Sequence, residues 1–428
     1  MFVDSHSYGS TVYAASNSNT WYYGSSGGPF TKGTLYTNMV TKANNALTKL
    51  ALTRLKGIFV IVSINDISNA TAITDTTSCL TQLIADLRTD FGPIAPIYIN
   101  MVGLASGYPS ARFQSVRSTI KDLEINNANV YITANESLLY SWRLYDSVTT
   151  PLHFTQAGNN KLGDILYNYI SSTEIDKDVR RILANMNTQI SSSTRKQGIR
   201  DFVSNMKSAG YWTLMDSIQI FRGEDVLNLM NDFVGFTAGT NGSFGSSGDS
   251  DVTFTANDRI SGNGTNQHWQ TRFAQSIAKY ASASGASSDF FCMIKTGTMT
   301  TAAGTLASIM GGSGRVALFQ DASSRTSYNL NNATPITYTT DTKLQSNTWY
   351  TIRTDGANAM LYKGSSQVKT SAQVPLSSAA IGLMDIFARN NSNPDSPTER
   401  YNGEVYCFLF GKYTGIDIGT LYLSFVLS

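Results

Sequence analysis

The run GIFVIVSI (57–64) constrains this chain more than any other segment. It is continuously apolar and ends in a turn, so it reads as a strand buried on both faces, the condition of a strand inside a parallel sheet. A helical pattern, LYTNMVTKANNALTKLALTRL, precedes it. TTSCLTQLIADLRTDFG follows, with Leu80, Leu83, Ile84 and Leu87 on one helical face. PIYINMVGL (96–104) reads as a second buried strand, 111–126 as a helix and NVYITAN as a third strand. AGNNKLGDILYNYI closes the unit with Leu162, Ile165, Leu166 and Tyr169 at helical spacing. This alternation predicts a parallel sheet wrapped by helices.

The period changes after residue 173. In EIDKDVRRILANMNTQI, Val179, Ile182, Met186 and Ile190 form one stripe, and IRDFVSNMKSAG is a second short helix ended by Gly210. The stripe suits either the seam of a short oligomeric coil or packing against a neighbouring domain. From about 211 the segments are short, aromatic and β-branched (DVTFTA, DFFCMIKTG, RVALFQD, WYTIRTDG, AMLYKGS, EVYCFLFGK), with Gly, Asn and Ser turns between them. That pattern predicts an antiparallel sandwich.

At 428 residues the chain has room for two or three domains. Lys+Arg 32 against Asp+Glu 30 leaves a net charge of +2, which argues against a nucleic-acid partner. Charged residues make up 14%, against roughly 25% in ordinary soluble domains. Ser, Thr, Asn and Gly take their place, giving a polar, neutral surface suited to work outside the cytoplasm or in an assembled particle. A hydrophobic fraction of 41% is too high for a disordered chain. Cys79, Cys292 and Cys407 each sit in an apolar run and read as buried free thiols. MFVDSHSYGS does not read as a signal peptide. No run approaches the ~18 apolar residues of a membrane span, so no membrane insertion is expected. Nothing calls for a cofactor or a metal.

Two segments carry candidate chemistry. Ser63-Ile64-Asn65-Asp66 directly follows the first buried strand, at the edge where parallel sheets assemble active sites. An Asn side chain there can donate to a developing oxyanion. Alternatively, Asn65 caps a turn and Asp66 opens the next helix. The second segment is Pro151-Leu152-His153-Phe154-Thr155-Gln156-Ala157-Gly158, ahead of an amphipathic helix. His153 is there either a general base or a capping residue. His6 and His268 have no such context.

Together these segments resemble the SGNH hydrolases, and more closely their sialate O-acetylesterase-like branch. VSIND stands where that branch has a motif of the type QGE(N/S)D, and TPLHFTQAG where it has DxxHF-x-x-x-G. HSYGSTVYAA is similar to its glycine-bearing loop. The resemblance covers about residues 5–170. It implies a Ser nucleophile, a backbone N–H from Gly9, the Asn65 amide and His153 as base, acting on an O-acetyl ester. Val3-Asp4-Ser5 stands as a degenerate GDS motif with Ser5 as nucleophile, although only four residues precede it, too few for the strand that should present it. The acid expected three residues before His153 is Thr150, Asp146 lies seven away, and the Gly of the third motif is Ser63. A working esterase and a degenerate, non-catalytic domain therefore both stay open.

Downstream, TWYTIRTDGANAMLYKGSSQV, IGLMDIFARNN and ERYNGEVYCFLFGKY resemble the laminin-G/concanavalin-like lectin sandwich over about 215–428. Alternation there puts Tyr350, Ile352, Met360 and Tyr362 in the core, with a tight turn at Asp355-Gly356. Trp269 and Trp349 either stack on sugar rings or pack in the core. The stretch FVSNMKSAGYWTLMDSIQIFRGEDVLNLMND resembles a junction found in bacteriophage tail and virion appendage proteins.

The fold class expected is therefore α/β plus all-β: a flavodoxin-like SGNH three-layer domain (1–173), a short helical linker (174–214) and an antiparallel concanavalin-like β-sandwich (215–428). The functional expectation is a tail-fibre or tailspike-like virion appendage that contacts host cell-surface glycan and other virion proteins, by family analogy as a homo-oligomer. The alternatives are a carbohydrate O-acetylesterase with an appended carbohydrate-binding module, and a purely structural virion decoration protein.

Overall fold

A computed structural model describes residues 13–14, 19–62, 73–103, 110–145, 154–221, 225, 227–234, 240–241, 253–255, 259–263, 267, 269–274, 289–299, 304–311, 314–320, 326–330, 336–338, 344–355, 358–372, 383–386, 402–412 and 417. The chain divides into two compact units, Met1–Thr173 and Glu174–Ser428.

In the first unit, strands β1 (Tyr13–Ala14), β2 (Tyr22–Tyr23) and β3 (Thr31–Lys32) form a small sheet ahead of α1 (Thr34–Lys49). The expected alternation follows: β4 (Ile58–Val60), α2 (Ile73–Phe91), β5 (Ile97–Met101), α3 (Ser110–Asn126), β6 (Val130–Asn135), α4 (Glu136–Ser141) and α5 (Gln156–Ser171). β4, β5 and β6 pair in parallel in that order, with Val60 opposite Ile99 and Ile99 opposite Ile132. GIFVIVSI is not the strand buried on both faces that its apolar run suggests: Ile58–Val60 are half-buried at the edge of the described sheet, and Ile61 is exposed. The predicted helical face of α2 is buried at Leu80, Leu83, Ile84 and Leu87, with Cys79 a free thiol beside them. On α5, Leu162, Ile165 and Tyr169 are buried. Tyr98 and Tyr131 stack on neighbouring strands, and Tyr169 meets the Tyr98 ring edge-on, so this helix seals one face of the sheet. The small sheet and α1 are tied to α2 by polar contacts: from the sheet, Tyr22 donates to Asp86 at 2.8 Å and Lys32 to Asp90 at 2.9 Å, and from α1, Tyr36 donates to Asp90 at 2.6 Å.

The second unit opens with α6 (Lys177–Ala184) and α7 (Ser193–Ser208). Asp176 caps the first by accepting from the N–H groups of Asp178 and Val179, and Ser192 caps the second through Arg195. Gly210, at φ +74°, takes the left-handed position that stops α7. Two antiparallel sheets follow. One comprises β7 (Met215–Ile220), β9 (Thr253–Thr255), β10 (Arg259–Asn263), β12 (Asp289–Met299), β17 (Trp349–Asp355), β18 (Asn358–Lys363), β19 (Ser366–Ala372) and β21 (Asn402–Lys412). The other comprises β8 (Thr240–Asn241), β11 (Trp269–Ala274), β13 (Gly304–Gly311), β14 (Gly314–Gln320), β15 (Thr326–Leu330), β16 (Ile336–Tyr338) and β20 (Leu383–Ile386). The two sheets meet at Trp269, whose indole N–H donates to Gln219 of β7 at 3.0 Å. The Trp269 ring also meets Phe221 edge-on, with centroids 5.3 Å apart.

The central strands of the first sheet are buried on both faces, for a reason that strand alternation alone does not reveal. Cys292, Ile352 and Phe410 share one register row, and Ile294, Tyr350 and Phe408 the next. The opposite face carries Phe291, Met293, Trp349, Cys407 and Leu409, which share a core with Val179, Ile182, Met186 and Ile190 and with Phe202, Val203 and Met206 of α7. Residues 174–214 thus form a helical layer on the sandwich, the stripe Val179, Ile182, Met186 and Ile190 packing against the sheet. Trp269 and Trp349 are both core residues, 0% and 5% exposed. Met360 is buried, but it and Tyr362 lie opposite Arg353 and Thr351, on the other face from Tyr350 and Ile352; Tyr362 is only partly buried, its hydroxyl accepting from Arg353 and donating to Gln367, each at 3.0 Å. Gly356 lies outside the described residues, as do residues 222–224 and 226 of the junction segment.

Candidate active site

All four residues assigned to chemistry, Ser5, Gly9, Asn65 and His153, lie outside the described residues, as do Ser63, Asp66, Asp146 and Thr150. The structure does describe the residues that flank two of them: Val62, directly before Ser63, and Phe154, directly after His153.

Val62 is buried two residues beyond the end of β4. The side chain of Asn100, on the neighbouring strand β5, takes over from strand pairing there. Its Oδ1 accepts from the Val62 N–H at 2.7 Å, and its Nδ2 donates to the Val62 carbonyl at 3.2 Å. The same Nδ2 donates to Glu136, the first residue of α4, which follows β6 without a break. The other carboxyl oxygen of Glu136 accepts from the Gly103 N–H at 3.2 Å. Arg117 of α3 closes the cluster, donating to the Val102 carbonyl at 2.6 Å. Asn100, Glu136 and Arg117 are all buried. The C-terminal ends of three parallel strands are therefore joined by one polar network.

Burial pushes the Glu136 carboxyl up to about 8, against the opposing pull of the Gly103 and Asn100 donors and the Arg117 charge. The group holds its proton at neutral pH.

The network extends toward the second segment through Gly103. A Cβ on Gly103 would lie 3.1 Å from the main-chain carbon of Glu136 and 3.2 Å from the Tyr145 hydroxyl, so the glycine packs closely against both. Tyr145 pairs with Phe154 in an isolated antiparallel bridge, and their rings meet edge-on at 4.7 Å. Thr155 then caps α5, accepting from Gly158 at 3.1 Å while its own N–H donates to Leu144 at 2.8 Å. Val62, Asn100, Glu136, Gly103, Tyr145 and Phe154 form a continuous series of contacts. The flanks of the Asn65 and His153 segments are thereby gathered at one edge of the sheet, where open parallel sheets place their ligands.

Residues 11–172 match the SASA family model, described as carbohydrate esterase, sialic acid-specific acetylesterase. Asn65 and His153 fall inside the matched span of this SASA-like domain; Ser5 and Gly9 precede it. No curated protein matches the chain significantly. Among solved structures, the chain is similar to Trypanosoma rangeli sialidase in complex with 2,3-difluorosialic acid, at 11% identity and a TM-score of 0.37, over 55% of this chain and 40% of that one. It is also similar to domain 4 of AbnA, a GH43 extracellular arabinanase from Geobacillus stearothermophilus, at 11% identity and a TM-score of 0.32, over 49% of this chain and 98% of that one. The chain thus spans well under half the length of the sialidase it matches. Among the described residues no helix is long and apolar enough to cross a membrane, and no cluster of His, Cys, Asp and Glu could hold a metal ion.

Asn100, Glu136, Gly103 and Arg117 were not legible as site residues in the sequence. The available signal was an Asn inside the otherwise apolar run PIYINMVGL and a Glu directly after the apolar strand NVYITAN. Polar groups at such positions must find partners when buried.

Proposed function

We propose that this chain is a carbohydrate O-acetylesterase with an appended carbohydrate-binding module, acting on O-acetylated sialic acid or a related acetylated sugar. The observation that carries this reading is the gathering of both flanks, Val62 and Phe154, at one sheet edge of a domain whose sequence matches the SASA family. In the proposed reaction Ser5 Oγ attacks the acetyl carbonyl and its proton passes to His153. The Gly9 N–H and the Asn65 amide stabilise the oxyanion. Collapse of the tetrahedral adduct expels the sugar hydroxyl, which takes up the proton from His153, and water then releases acetate by the same route. The sandwich, by this reading, holds the glycan that bears the ester.

The test is acetate release from O-acetylated sialic acid and p-nitrophenyl acetate by the full chain and by Ser5→Ala, Asn65→Ala and His153→Ala. Turnover that each substitution lowers at least about a hundredfold supports the assignment. Absence of turnover in the unsubstituted protein overturns the esterase reading, and full activity in all three variants overturns the residue roles. The virion setting rests on the junction segment beginning at Phe202 and on the neutral, Ser/Thr/Asn/Gly-rich surface. Mass spectrometry of purified particles tests it, and absence of the chain from them would refute it.

A further inference from the structure

We infer that Asn100 and Glu136 are positioning residues for the esterase site, Asn100 clamping the main chain of Val62 and Glu136 orienting the Asn100 amide and Gly103. This rests on the esterase reading of the same sheet edge.

The argument is one of hydrogen-bond accounting. Backbone groups buried at a strand end need partners. β4 pairs with β5 only through Val60, and at Val62 the Asn100 side chain supplies both a donor and an acceptor. An amide side chain can rotate or flip, and then it would offer the wrong atom to each backbone group. Glu136 opposes this: one of its carboxyl oxygens accepts from Nδ2, a bond that a flipped amide would give up. Its second oxygen ties down Gly103, which lies two residues beyond β5 and beside Tyr145, the partner of Phe154. One pair of side chains therefore fixes the departure point of the segment that begins at Ser63 and reaches the bridge that receives the segment ending at His153. Neither side chain need touch substrate. A misplacement of about 1 Å at a reacting group costs on the order of a hundredfold in rate, so such support carries a kinetic signature.

The experiment uses the full chain and two readouts: p-nitrophenyl acetate kinetics, and amide hydrogen exchange over the peptide containing Val62 to Asp66. Asn100→Ala is expected to lower kcat roughly 10- to 100-fold with KM within about twofold, and to speed exchange in that peptide while the sandwich peptides stay as they were. Asn100→Asp keeps the acceptor for the Val62 N–H and loses the donor, so it is expected to retain more kcat than Asn100→Ala and to exchange more slowly at Val62. Should Asn100→Ala fail to fold, Asn100→Asp and Glu136→Gln carry the same comparison. Normal kcat and unchanged exchange in folded variants overturn the inference. If the unsubstituted protein shows no turnover, the esterase reading fails, and the exchange data alone decide the clamp: unchanged protection at Val62 in folded Asn100→Ala refutes it.

Discussion

Both polar atoms of the Asn100 side chain engage the backbone of Val62, one accepting at 2.7 Å and the other donating at 3.2 Å, across 38 residues of sequence. A single side chain thus does at that point what a strand ladder does elsewhere. Glu136, stacked behind it, makes the arrangement sensitive to pH.

The folded Glu136 carboxyl titrates near 8, against an ordinary value of 4.5. Between those limits the native state binds more protons than the unfolded one, so stability falls as pH rises through that window. Thermal melting of the full chain from pH 5 to pH 9 should show this decline. Glu136→Gln removes the titration but turns an amide NH₂ toward one of the two donors, at a cost of about 1–3 kcal/mol. The variant should melt lower than the parent at pH 5, and the gap should narrow by pH 9.

Two glycines of α5 should respond oppositely to alanine. At Gly158 a Cβ would collide with the Leu144 carbonyl and sit 3.1 Å from the Phe154 Cβ, whereas at Gly163 nothing lies within 4 Å. Gly163→Ala should stabilise by about 0.5–1 kcal/mol through helix propensity. Gly158→Ala should destabilise and, on the proposed function, lower turnover of p-nitrophenyl acetate, because it displaces the bridge next to His153. Urea denaturation with parallel kinetics checks both.

Trp269 spans the two sheets, with its indole on Gln219 and its ring against Phe221. Trp269→Ala should cost about 3–5 kcal/mol in the second unit. Trp269→Phe should cost less, since it loses the hydrogen bond but keeps most of the buried area. A denaturation series followed by tryptophan-independent circular dichroism measures the difference.

Asp178 anchors the helical layer: it is buried, paired with Arg181, and 2.6 Å from Lys207. Burial pushes its carboxyl up, but those two cations outweigh it and hold the group below the usual carboxylate range. Its stabilising contribution is present above the ordinary carboxylate pKa and is lost as pH falls through the depressed one. Asp178→Ala should cost about 3–5 kcal/mol at neutral pH and speed amide exchange in α6 and α7. The difference from the parent should shrink in strong acid.

The order and type of elements were legible because their signals are local. GIFVIVSI and PIYINMVGL announce strands within a few residues, and the 3.6-residue spacing of Leu80, Leu83, Ile84 and Leu87 announces a helix. Gly210 marked the end of α7 for the same reason. The roles of Asn100 and Glu136 were not legible, since their partners lie 33 to 38 residues away and no spacing rule links them. Nor was the burial of the central strands on both faces, which on the Trp349 side depends on helices more than a hundred residues upstream.

The sequence by itself determined two units of different class, their element order, and the segments in which chemistry was to be sought. Backbone propensity and hydrophobic period act over single turns and strands, and each residue carries them wherever it sits. Only the tertiary structure decided that residues 174–214 form a layer on the sandwich, that both tryptophans belong to the core, and that a buried amide and a buried carboxyl fasten three strand ends together. Those outcomes depend on which distant surfaces meet when the chain closes, and desolvation then forces each buried polar group onto whatever partner the fold has brought beside it.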